Sequence, residues 1–312
     1  MKNLLLINRN FNGTSVIYET DFNKELENNF NVFYYGEGYN NDLDKLLSSK
    51  SIDIVLCGAN TNLEVFFNIK FNNKYLILSD LHKHPLGESS LEISDNIKKF
   101  NIKKVFLRSF NEAFISIDNA KLFTWSLNED TYKFQEYNKK YDICFLGSKS
   151  KEYYPLRYTI HKNIKKLINK YNLSIIGGNR SRDAKYDNNF LYNYTQEKRS
   201  QIKVGDEYIK TLNNSKLMLF DSSIFRYPVK KYVECMATGC LILADEPLHS
   251  ENLKLVEDYN YVKINKDNWI EKTLFYLNND NERIRIINNA RNTFISNHTN
   301  KIRIQELIRN IL

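Results

Sequence analysis

The heptapeptide Ser79-Asp80-Leu81-His82-Lys83-His84-Pro85 holds the richest group of acid–base side chains in this 312-residue chain. It follows the apolar run Tyr75–Leu78, which reads as a strand, and a carboxylate or imidazole placed there can take a proton from a bound hydroxyl. Asp80 and His82 are therefore the candidate catalytic pair. With His84 they also suggest a metal, but no third histidine or cysteine lies close in sequence; loop polarity is the plain alternative. Gly147-Ser148-Lys149-Ser150-Lys151 suggests a different chemistry. It follows the apolar run Asp142–Leu146, and a glycine at a strand end lets backbone approach a phosphate while lysines supply charge. A following helix includes Arg157, whose guanidinium forks onto phosphate oxygens. An ordinary turn with surface lysines competes with that reading. Gly13, in Asn10–Ser15 after the first strand, could lie near a bound diphosphate; the match to a dinucleotide-binding glycine motif is too short to suggest NAD.

A third group lies between Asp221 and Asp245. Ser222, Ser223, Arg226 and Tyr227 lead into a helix expected to begin at Pro228, so hydroxyls, a guanidinium and free helix N–H groups converge as a diphosphate site requires. The serines could equally cap or turn the chain. Val229, Tyr232, Val233 and Met236 form the apolar stripe, and Gly239 is suited to end the helix in the left-handed region. Lys230, Lys231 and Glu234 fall off the stripe, as polar groups aimed at a cleft or as a solvated face with weak ion pairs. Asp42-Leu43-Asp44 has the spacing of a metal-binding D-x-D, yet it precedes a helix-like segment, and capping explains it better.

The run from Lys231 to Asp245 (KYVECMATGCLILAD), with Asn288-Asn289-Ala290-Arg291 and Asn297-His298-Thr299 further on, resembles the C-terminal donor domain of GT-B glycosyltransferases. It is most similar to the group-1-like family, including its spore-maturation-type subfamily. The resemblance covers roughly residues 141–305. It implies that Glu234 holds the ribose of a nucleotide-sugar and that the loops at Gly147 and Ser222 face the diphosphate, with Gln201–Gly205 near the base. It also implies that His82 touches the donor sugar, and that no metal cofactor is needed. Many retaining members carry a second glutamate eight positions before Glu234; here that position is Arg226, which leaves sugar and stereochemical course open.

These groups need rigid elements to hold them. Short apolar runs at Leu4–Ile7, Ile52–Cys57, Tyr75–Leu78, Val105–Leu107 and Leu122–Trp125 alternate with helical patterns. A second series runs Asp142–Leu146, Leu173–Ile176, Leu217–Phe220, Leu241–Ala244 and Tyr261–Ile264. Strands alternating with helices imply parallel sheets, hence an α/β fold of two doubly wound, Rossmann-like domains facing an interdomain cleft, as in GT-B proteins. The polar stretch Asn128–Lys140 reads as the linker. The expected division is an acceptor-side domain at 1–135, a nucleotide-sugar domain at 136–300 and a helix at 301–312 returning to the first.

Composition bounds the partners. Net charge is 45 − 37 = +8, which suits anionic donors, a membrane surface or nucleic acid, although no basic block concentrates it. Cys57, Cys144, Cys235 and Cys240 lack a C-x-x-C pair and read as reduced core residues of a cytoplasmic protein. No apolar run approaches the ~20 residues of a membrane span, so any membrane contact is expected to be peripheral. The expected activity is metal-independent transfer from a UDP-linked sugar to an acceptor that the sequence leaves open among glycan, lipid-linked, protein and nucleic acid. A non-catalytic nucleotide-sugar-binding protein and a DNA-modifying glycosyltransferase are the alternatives.

Overall fold

The computed structural model describes residues 1–10, 17–58, 63–79, 86–87, 89–108, 116–147, 150–164, 167, 173–176 and 205–312. The chain divides into two units: 1–12, 19–125 and 300–312 form the first, and 13–18 with 126–299 form the second.

In the first unit, β1 (Asn3–Ile7), β2 (Asn31–Tyr35), β3 (Ile54–Cys57), β4 (Lys74–Leu78), β5 (Ile102–Leu107) and β6 (Ala120–Leu122) make one sheet in the order β2-β1-β3-β4-β5-β6. Every pairing is parallel. Its helices are α1 (Ile17–Glu27), which belongs to this unit from Glu19 on, α2 (Leu43–Ser49), α3 (Leu63–Asn68) and α4 (Ser90–Lys99). The central strands read apolar, Lys74 excepted, because both faces are covered: all residues of β3 and β4 are buried. The β2 strand was not expected; its residues are mostly half-buried at the sheet edge, so no continuous buried run marks it. The pairing with β5 involves Ala120–Leu122, ahead of the expected Leu122–Trp125. Phe123 and Trp125 are buried all the same, so hydrophobicity marked the core there and not the ladder. Asp42 caps α2, its carboxylate accepting from the Lys45 N–H at 3.0 Å.

In the second unit, β7 (Tyr141–Leu146), β8 (Leu173–Ile176), β9 (Ser215–Phe220), β10 (Leu241–Ala244) and β11 (Val262–Lys263) form a parallel sheet in the order β11-β10-β9-β7-β8. Its helices are α5 (Pro155–Asn163), α6 (Gly205–Asn213), α7 (Lys231–Thr238), α8 (Trp269–Asn278) and α9 (Asp280–Asn297). A core of Ile143, Phe145, Leu217, Leu219, Leu241 and Leu243 packs against Leu156, Ile160, Trp269 and Ile286 from the helices. The last helix, α10 (Asn300–Ile311), belongs to the first unit, where Ile304, Leu307 and Ile311 join the core of Leu4, Leu6, Phe22 and Phe106.

Both sheets have the 2-1-3-4-5 winding of doubly wound folds, which places a switch point where connections leave in opposite directions. In the first sheet it lies between β1 and β3, in the second between β7 and β9. Ligands of such sheets bind beyond the carboxyl ends of those strands. For the second unit this marks the residues just after Leu146 and Phe220.

The α7 helix starts three residues later than expected. Val229 N–H donates to the Tyr227 carbonyl at 2.7 Å, so residues 227–229 make a tight turn, and Lys230 is the N-cap. Pro228 disfavours helical backbone at Tyr227 and so belongs to the approach, not the first turn. The other end follows expectation. Gly239 has φ +72°, and a Cβ there would come 2.6 Å from the Gln135 carbonyl oxygen, so only glycine closes this helix.

Candidate active site

At the switch point of the second sheet, three residues from separate elements meet. Gly147, directly after β7, has φ +117°, and a Cβ built on it would lie 3.0 Å from Arg157 Nη1 and 3.3 Å from Lys231 Nζ. Two cations from α5 and the first residue of α7 thus converge on backbone that has no side chain to shield it. The free N–H groups at the start of α7 add the positive end of a helix dipole.

Arg157 is fixed from several sides. Its backbone N–H donates to Asp221 Oδ2 at 3.0 Å, and its Nη2 donates to the Asp221 carbonyl at 2.9 Å and lies 3.1 Å from Oδ1. Both side chains are buried, at 3% and 2% exposure. Burial pushes the Asp221 carboxyl up and the Arg157 guanidinium pulls it down. The guanidinium also sits 4.1 Å from the centre of the Tyr154 ring.

Lys231 is held differently. Its ammonium has no hydrogen-bond or ion-pair partner among the described residues. Burial, then the charge of Arg157, lower it to about 8. Lys231 is half-buried beside a second cation, and an arriving anion would stabilise both, so Gly147, Arg157 and Lys231 form a candidate anion cradle.

Three residues further along α7, Glu234 is 2% exposed, not solvated. Its Oε2 accepts from the Tyr208 hydroxyl at 2.7 Å, and its Oε1 lies 3.0 Å from Lys230 Nζ. Lys230 Nζ also stands 3.6 Å from the centroid of Tyr18 in the same unit.

Ser222 and Ser223 shape their own loop. Ser222 donates from N–H and Oγ to the two carboxylate oxygens of Asp245, each at 2.7 Å, while Tyr232 O–H donates to the Asp245 carbonyl at 2.7 Å. Ser223 has φ +75°, and its Oγ accepts from the Phe225 N–H at 3.3 Å. Arg226 is exposed and donates from Nε and Nη2 to the Glu246 carbonyl, at 3.3 and 3.0 Å. Tyr227 is buried, its ring 5.3 Å from that of Phe225. The structure therefore brings Gly147, Arg157 and Lys231 together, sets Glu234 one turn away, and commits Arg226 to Glu246. Gly13, Asp80, His82 and Ser148 lie outside the described residues, as do 201–204. Ser79, next to Asp80, accepts at 3.3 Å from Arg108, which pairs with Glu19 in the first unit.

Sequence reasoning missed Asp221 as the partner of Arg157, Asp245 as the anchor of Ser222, and Tyr208. A carboxylate directly after the apolar run of β9 was a usable signal for the first. Tyr208 carried none.

Gly147→Ala is expected to weaken diphosphate binding about tenfold, because the new methyl occupies the cradle at a backbone angle that strains side-chain-bearing residues. Titration of UDP by calorimetry checks this; parent-like affinity in the alanine variant would mean that no ligand approaches Gly147.

Residues 157–309 match the glycosyl transferase-like family. With that match and a GT-B fold, the chain is an enzyme of glycosyl transfer. The fold is similar to that of a glycosyltransferase from Rickettsia africae ESF-5, with TM-score 0.64 and 13% identity over 99% of this chain and 97% of that one. Anabaena Alr3699/HepE in complex with UDP-glucose has TM-score 0.65 and 12% identity over 100% and 99%. Sucrose-phosphate synthase from Thermosynechococcus elongatus has TM-score 0.62 and 10% identity over 100% and 99%. No curated protein matches. Among the described residues, no helix is long and apolar enough to cross a membrane.

Proposed function

We propose that this protein transfers a sugar from a nucleotide-sugar to an acceptor, with a UDP-linked donor bound on the second unit. The observation that carries this is the convergence of Arg157 and Lys231 on Gly147 at the switch point of the second sheet. Departure of a nucleoside diphosphate builds negative charge on the β-phosphate, and a fixed guanidinium, an ammonium and helix N–H groups stabilise that charge without reorganising. These groups supply the counter-charge in a transfer that we take to need no metal. HepE, whose complexes contain UDP and UDP-glucose, supports uridine as the base. Glu234, one turn from Lys231, takes the ribose in this proposal. Ser222, Ser223, Arg226 and Tyr227 line the approach. Asp80 and His82 enter from their sequence alone, as the groups acting on sugar or acceptor.

Calorimetry with UDP, GDP and uridine, followed by turnover with a panel of UDP-sugars in the presence of a chelator, tests the assignment. UDP should bind at least tenfold more tightly than uridine. That margin should shrink above pH 8, because Lys231 is neutral in the free protein there and a phosphate must re-protonate it. Equal affinity for UDP and uridine at pH 7 would remove the diphosphate from this site. Donor binding without turnover or hydrolysis would instead favour a non-catalytic nucleotide-sugar-binding protein.

A further inference from the structure

We propose that Tyr208 and Lys230 are positioning residues that hold the Glu234 carboxylate open to a vicinal diol, the ribose of the donor. This rests on the nucleotide-sugar assignment above and adds two residues to it.

A glutamate that only neutralised Lys230 would do so equally well in water, since exposed i,i+4 pairs contribute little and burying the carboxylate adds a desolvation penalty. Yet the Glu234 side chain is 2% exposed, whereas Lys230 keeps 25% of its own exposure. The carboxylate is also gripped from both sides, by the Tyr208 hydroxyl on Oε2 and by the Lys230 ammonium on Oε1. Burial and the charge of Glu234 push the Tyr208 phenol well up, so it stays a hydroxyl that can donate. A carboxylate offers about four acceptor positions, and these two donors engage one on each oxygen. About two positions are left, one per oxygen, which is what a pair of adjacent hydroxyls needs. Lys231 and Glu234 lie at i and i+3 on α7, neighbours on one helix surface. A carboxylate for hydroxyls thus stands beside an ammonium for phosphate, in the order in which a nucleoside diphosphate carries them. The two clamps come from different elements, α6 and the N-cap of α7, so rotation of the carboxylate breaks at least one bond.

The test is calorimetry of the full chain with UDP, 2′-deoxy-UDP and 3′-deoxy-UDP, alongside thermal melting. The parent should prefer UDP over each deoxy analogue by about tenfold or more, the scale of a hydrogen bond to a charged group. Tyr208→Phe should weaken UDP about fivefold while moving the deoxy analogues less than about twofold, so that discrimination narrows. Lys230→Gln should act in the same direction, and Lys230→Arg should restore most of the preference. Equal losses for UDP and both analogues, or unchanged discrimination in the folded variants, would overturn the proposal and leave Tyr208 and Lys230 as packing partners. Should Tyr208→Phe fail to fold, the two Lys230 variants decide alone. A parent that binds UDP without preferring ribose would sink the role of Glu234 while sparing the nucleotide-sugar assignment; a parent that binds neither UDP nor GDP would sink that assignment first.

Discussion

Arg157→Leu is expected to destabilise the second unit by about 3–5 kcal/mol, because it strands the Asp221 carboxylate in a buried position with its ion-pair partner gone. The same substitution removes the guanidinium from beside Gly147, so the folded fraction should also lose diphosphate affinity. The double variant Arg157→Leu with Asp221→Leu separates the two roles. It replaces both charges by apolar groups and should recover much of the stability while leaving UDP affinity low. Differential scanning calorimetry checks the first effect and titration of UDP the second. A single variant that melts with the parent would show that the buried pair carries little of the fold. A double variant that binds UDP like the parent would take Arg157 out of the site.

Lys231→Met should lower UDP affinity about 100-fold at pH 7, as expected for a charge-assisted contact to phosphate in a partly buried site, while uridine affinity changes little. Its effect on stability should have the opposite sign. The folded protein holds Lys231 at about 8, below the usual lysine value, so folding disfavours the charged form. The unfolded chain then binds more protons than the native state between pH 8 and the unfolded value of 10.5, and stability rises with pH across that window. Lys74 and Lys139, also lowered to about 8 by burial, contribute similar slopes. The methionine variant should lose one of these three contributions and be at least as stable as the parent at pH 7. Denaturant titrations at pH 7 and 10 measure this. A variant markedly less stable at pH 7 would mean that Lys231 supports the fold and not the ligand.

The sheets were legible because burial on both faces writes itself as uninterrupted apolar runs: Leu241–Ala244 and Ile54–Cys57 are such runs, and every residue in them is buried. The half-buried edge β2 has no such mark. The candidate site was legible only where chemistry follows its strand directly, as Gly147 follows Leu146. Glu234 was placed off the apolar stripe, yet Tyr232 to Thr238 are all buried, since α6 and α9 both pack against α7. A helix enclosed on several sides does not announce itself through one stripe. Arg157 and Asp221 are 64 residues apart and Tyr208 and Glu234 are 26 apart. Pairings over such separations depend on the strand order, which the periodicity of single segments does not encode.

The return of α10 to the first unit has a consequence for synthesis. Ile304, Leu307 and Ile311 fill the core between Leu4, Phe22 and Phe106, the Tyr75 hydroxyl donates to the Ile311 carbonyl at 3.3 Å, and Arg303 bonds Thr124. All of 126–299 is translated between the two parts of that core. As the chain leaves the ribosome, the second unit, nearly contiguous in sequence, has all but residues 13–18 of its own segments in one stretch. The first must wait with an apolar face uncovered until α10 emerges. The nascent first unit is therefore the stretch most exposed to chaperones and to aggregation, and a stop codon near residue 299 would injure the unit whose strands are translated before it.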